Sequence, residues 1–120
     1  ANVTYMSLEP EHYPVTVPEL ERHPFSHQIF VPLEGTQHLV VVCPSKKDGF
    51  PDLEKAIAFH ASGAQTVNYN ANVWHAPRMV LHGAGSFIML RWDADTGADT
   101  ELLTLKQPII VKTPTVMDIT

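Results

Sequence analysis

Residues 78–92 read RMVLHGAGSFIMLRW: two short apolar runs separated by Gly83-Ala84-Gly85. Each run is too short for a stable helix, and the glycine-rich break is turn punctuation between strands. The same pattern recurs in both directions along the chain. Further candidate strands are 2–7 (NVTYMS), 28–33 (QIFVPL), 37–43 (QHLVVVC), 56–60 (AIAFH), 65–69 (QTVNY), 101–106 (ELLTLK) and 109–112 (IIVK). With 78–82 and 86–92 they make a series of short, evenly spaced strands. Such spacing predicts an all-β sandwich or barrel of jelly-roll type. Pro32 lacks the ladder donor, which predicts an edge or bulge at the end of its strand. Helix is confined to one or two turns at Glu19–His23, stopped by Pro24, and at Asp52–Lys55.

The 120 residues fit a single domain spanning 1–120, large enough for one core. A formal net charge of −5, with 8 Lys and Arg against 13 Asp and Glu, disfavours a nucleic-acid partner. No apolar run approaches the ~18 residues of a spanning helix, and the single Cys excludes a disulfide framework. A cytoplasmic domain that does not engage a membrane is expected.

Seven His invite a metal reading, but there is no His-x-His pair, and the ring-bearing residues are spread one per segment. The expectation is acid–base His without a metal or other cofactor. Cys43, before Pro44, reads as a buried inert thiol. Asp93, Asp95 and Asp99 around Gly97 lack the closing Glu of a calcium loop and read as a solvated turn. The densest chemistry lies in ELERHP (19–24), followed by Gln28, and in QTVNYNANVWHAPR (65–78). The second stretch carries Trp74, His75 and Arg78 at a strand entrance. Strand alternation places 75 and 78 on opposite faces unless a bulge at Pro77 intervenes.

Seven stretches together resemble the ureidoglycolate lyase family: ELERHP (19–24), Q-x-F-x-PL (28–33), LVVV (39–42), PDL (51–53), AF (58–59), G-x-Q-x-V-x-Y (63–69) and VWHAP (73–77). The resemblance implies a cupin-like jelly-roll barrel, a homodimer, a small-molecule substrate, and release of glyoxylate and urea from ureidoglycolate. It places Arg22, His23, Gln28, Gln65, Tyr69 and His75 at the family's matching positions. The departures lie around them. Asn70 and Ala76 stand where the bacterial pattern has His, Arg78 where the fungal pattern has Met, and Ser86 where the family has an acid; Arg91-Trp92 replaces Asp-Arg. From these, the expected catalytic set is His75, Arg78, His23 and Tyr69. The expected substrate-binding set is Arg22, Gln28, Gln65, Asn70, Trp74 and Arg91. The altered residues suggest a fungal biosynthetic paralogue closing a ring on an aromatic polyketide, by adding a phenol oxygen across a prenyl alkene. The alternatives are an authentic ureidoglycolate lyase and a non-catalytic binding cupin.

Overall fold

The run Leu39-Val-Val-Val-Cys43 is buried at all but one of its positions, which places its strand between two apolar layers. The computed structural model describes residues 2–92 and 97–113, and the backbone of 115–116. Asp93 and Asp95 of the acidic turn lie outside the described residues.

The elements are β1 (Asn2–Leu8), β2 (Val15–Arg22), β3 (Gln28–Leu33), β4 (Gln37–Cys43), a 3₁₀ turn (Leu53–Lys55), β5 (Ile57–Ala61), β6 (Val67–Tyr69), β7 (Trp74–His75), β8 (Met79–Leu81), β9 (Gly85–Arg91), β10 (Glu101–Val111) and β11 (Thr115–Val116). They form two sheets. One has the order β1-β9-β3-β6; the other runs β10-β2-β7-β4-β5-β11, with β8 also paired to β4. The architecture is the all-β sandwich that the short strands imply, consistent with the cupin-like barrel that the resemblance implies.

Alternation along β4 sorts its side chains between two cores. Leu39, Val41 and Cys43 join Val15, Val17, Leu20, Trp74 and Met79. Val40 and Val42 face the other sheet and cluster with its Phe30, Tyr69 and Phe87, together with Val80 of the neighbouring β8. Burial on both faces explains why this strand is a continuous β-branched run rather than an alternating one.

Two expectations are corrected. Glu19–His23 is not a helical turn: Glu19 to Arg22 are the last residues of β2, paired with β10 from Thr104 to Glu101. Local propensity yields there to the ladder, since Val15, Val17 and Leu20 can all be buried from an extended chain. The runs 101–106 and 109–112 are one strand, with a register shift between Thr104 and Ile109 opposite Pro18. Pro18 and Pro108 both lack an N–H, so a slip in the ladder falls where neither could donate. Pro32 behaves as expected: β6 reaches only Phe30, leaving β3 open on that side beyond it.

A further irregularity sits between β7 and β8. Val42 faces His75 whereas Leu39 faces Met79, so Ala76, Pro77 and Arg78 oppose only Val41 and Val40. This is the bulge on which the relation of His75 to Arg78 depends. It puts His75 and Val80, five residues apart, on the same inward side.

His38 is the polar residue on the inward face of β4, beside Val40 and Val42. It is buried, stacked on Phe87 at 4.9 Å between ring centroids, and its Nε2 has no hydrogen-bond partner. Burial, then the nearby His60 charge, pulls its pKa from 6.5 to about 4. The unfolded chain therefore takes up this proton at a higher pH than the folded chain. The stability contributed by neutral His38 is complete above pH 6.5 and is lost as pH falls towards 4. At pH 5 the loss is about 2 kcal/mol. Urea unfolding of the wild type and His38→Leu at pH 7.5 and 5.0 should show that increment in the wild type alone. An identical pH dependence in both proteins would remove His38 from the account.

Candidate active site

Two strand ends of the second sheet and three of the first meet at one end of the inter-sheet space. Glu21 of β2 lies directly opposite His75 of β7 in the second sheet. In the first sheet, Gln28 of β3 lies opposite both Tyr69 of β6 and Arg91 of β9. His23 follows β2 by one residue, and its carbonyl accepts the Asn72 N–H at 2.8 Å, which ties it to the loop leading into β7.

His75 is 2% exposed. The Tyr69 ring stacks on its imidazole at 4.1 Å and 12°. Its Nδ1 lies 3.0 Å from the Val73 carbonyl, which can only accept, so Nδ1 carries a proton. Nε2 is left to exchange one. It lies 3.1 Å from Gln28 Oε1 and 3.4 Å from Glu21 Oε1. The hydrogen bond from His75 holds the Glu21 carboxyl below its ordinary range against the opposing effect of burial, helped by the charges of His75, His23 and Arg78. Burial, then the Glu21 charge, pushes the Tyr69 phenol up. Tyr69 therefore presents a neutral ring to His75 and is not a base near neutrality.

His23 is equally buried and sits 5.6 Å from His75 between ring centroids. Its Nδ1 lies 2.9 Å from the main-chain carbonyl of Asp99. Arg91 Nη1 approaches Nδ1 at 2.7 Å and Nε2 at 3.4 Å. So even an approach places it over the ring face rather than in line with the Nδ1 proton. Both histidines thus have Nδ1 held by a backbone carbonyl and Nε2 left for chemistry.

Glu21, His23 and His75 bring one ligand atom each within 4.8 Å of one another, the only such group among the described residues. These three could hold a divalent cation, or share protons among themselves. The seven histidines are therefore not all scattered. His23 pairs with His75, and His60 with His82 at 5.4 Å.

The other expected residues divide. Gln28, Tyr69, His23, His75 and Arg91 converge as described. Arg78 is exposed, yet its charge reaches Glu21. Arg22 and Trp74 point to the opposite face from Glu21 and His75. There the Arg22 guanidinium stacks 4.4 Å from the indole, pairs with Glu101 at 2.7 Å, and shares the Gly49 carbonyl with Trp74 Nε1. Gln65 closes a turn on Ser62, and Asn70 is exposed in the loop after β6. Sequence reasoning missed Glu21, although it stands inside ELERHP. Reading 19–23 as helical hid its alternation with Arg22. Asp99 was also missed, being read as solvated.

The ureidoglycolate lyase family model matches residues 1–112. Among curated relatives, a provisionally named ureidoglycolate lyase of Agrobacterium fabrum is 40% identical over 95 residues, covering 79% of this chain and 59% of that protein. The ureidoglycolate lyase of Schizosaccharomyces pombe is 41% identical over 85 residues, 65% of this chain and 44% of that protein. That of Escherichia coli is 38% identical over 93 residues, 78% of this chain and 57% of that protein. The chain thus spans about half the length of these relatives.

Proposed function

Because the chain belongs to the ureidoglycolate lyase family, we propose that it splits ureidoglycolate into glyoxylate and urea by acid–base catalysis at Glu21, His23 and His75. The supporting observation is the contact of His75 Nε2 with Glu21 in a buried site, beside a second imidazole. Breaking the carbinolamine C–N bond needs one group to take the hydroxyl proton and another to protonate the departing nitrogen. The lone pair of the hydroxyl oxygen becomes the carbonyl of glyoxylate, and the C–N electrons leave on urea. Protonated His75, stabilised by Glu21 and Gln28, supplies the proton to nitrogen. His23 Nε2 takes the hydroxyl proton on the neighbouring side. Arg91, above the His23 ring, receives the substrate carboxylate through charge-assisted hydrogen bonds. Tyr69 acts as a flat plate that holds His75 in orientation.

The ring-closing reading has less behind it. The bacterial and yeast relatives named above carry the lyase name. Arg78, the residue on which that reading leaned, is exposed and acts on Glu21 at a distance. Its local effect is to favour the ionised carboxylate that stabilises protonated His75, and this serves the lyase chemistry directly.

We also infer a homodimer. The outward face of the first sheet carries the exposed side chains of Val3 and Tyr5 beside their cross-strand neighbours Leu90 and Ile88. A second copy would cover this apolar face. Light scattering at micromolar concentration should give twice the chain mass, and Tyr5→Lys should shift it towards the monomer. A monomeric wild type would overturn the inference.

Incubation with ureidoglycolate should release glyoxylate with kcat above ~1 s⁻¹. His75→Ala should lower that rate by about 10²–10⁴ with the fold intact by circular dichroism. No turnover by the wild type, or a loss below fivefold in the variant, would sink this reading.

A further inference from the structure

Asp99 lies in the connection between β9 and β10, away from both strands that carry the histidines. Its carboxylate nevertheless spans the turn after His23. Oδ1 accepts the Phe25 N–H at 2.6 Å, and Oδ2 accepts the Ser26 hydroxyl. The same residue's main-chain carbonyl lies 2.9 Å from His23 Nδ1. The next residue, Thr100, has its Oγ1 3.4 Å from the same nitrogen, and it accepts from Arg91 Nη1 at 3.3 Å. Three bonds thus join one short turn to the segment 23–26, and one of them ends on a ring of the site.

From this we infer that Asp99 is a positioning residue: its side chain anchors the turn to Phe25 and Ser26, and its carbonyl thereby fixes the tautomer and direction of His23. An acceptor at Nδ1 keeps the proton there and leaves the Nε2 lone pair for the substrate. This is the role a carboxylate or carbonyl plays behind a functional histidine. The carboxylate itself touches no reacting atom. Without it the main-chain carbonyl remains in the chain but is no longer held against the ring. His23 can then rotate, or place its proton on Nε2, where it cannot accept the hydroxyl proton. Misplacement of a base on this scale costs turnover rather than affinity. The inference rests on the lyase reading for its kinetic consequence, and on geometry alone for the placement of the ring.

The experiment compares wild type, Asp99→Ala, Asp99→Asn and Thr36→Val. Thr36 bonds Leu33 and Ser86 at a turn outside the site, so its variant controls for general loss of stability. Nitrogen-15 NMR of the histidine side chains should show His23 protonated on Nδ1 in the wild type and in Thr36→Val. In Asp99→Ala that signature should be lost. With ureidoglycolate, Asp99→Ala should lose about tenfold or more in kcat while KM stays within about threefold. Asp99→Asn, whose amide oxygen still accepts from Phe25, should recover most of the rate. Thr36→Val should melt earlier with kcat unchanged. Retention of the Nδ1 signature in Asp99→Ala, or a kcat within twofold of wild type, would overturn the inference. If the wild type releases no glyoxylate, the lyase reading falls, and the NMR comparison alone decides the role of Asp99.

Discussion

Burial of β4 on both faces is the constraint from which the rest of the architecture follows. A strand with apolar layers above and below cannot slip by one residue, because each slip would exchange two complete sets of contacts. The locked register of β4 in turn fixes β7 and β8, which pair with it on either side of the bulge.

The site inherits its geometry from this chain of pairings. His75 faces inward because Val42 does, and Glu21 meets it because β2 is the next strand across. The opposite wall comes from the first sheet, through Gln28 and its two neighbours in register. No single element contains more than two of the converging groups. The bonds that cross between the elements are polar and directed, and the one from His75 to Gln28 is buried, where a hydrogen bond counts for most and a missing partner costs most.

Charge is arranged consistently around this centre. Glu21 lies among His75, His23 and Arg78, and each favours its ionised form. Asp99, one turn away, is held low by Ser26, Phe25, Arg91 and His23 against the desolvation that would raise it. Two carboxylates and two guanidiniums thus bracket two imidazoles. An acid–base pair in such a setting can pass a proton without leaving an uncompensated charge in the interior. On the other face of the same strands, Arg22, Trp74 and Glu101 form a separate polar cluster with a structural task, the stacking of the guanidinium over the indole that packs against Leu20 and Cys43.

The all-β class and several strands were legible in the residues because short runs such as QIFVPL and QHLVVVC carry their own boundaries in Pro, Gly and composition, whereas β2 and β7 were not read as strands. His75, His23, Gln28 and Tyr69 were legible because they stand at the positions that the family resemblance singles out, and Arg91 because it departs from the family pattern. Which of them meet was not legible. Arg22 and Glu21 are neighbours in sequence, and only the pairing of β2 with β10 and β7 decides that Glu21 faces the histidines while Arg22 covers Trp74. Asp99 is separated from His23 by 76 positions, and its two bonds to the turn at Phe25 and Ser26 exist only once β9 and β10 have brought it there. Local patterns encode the period of a strand and hence its faces. The direction each face takes depends on partners distant in sequence, and that is settled only by the folded packing of the two sheets.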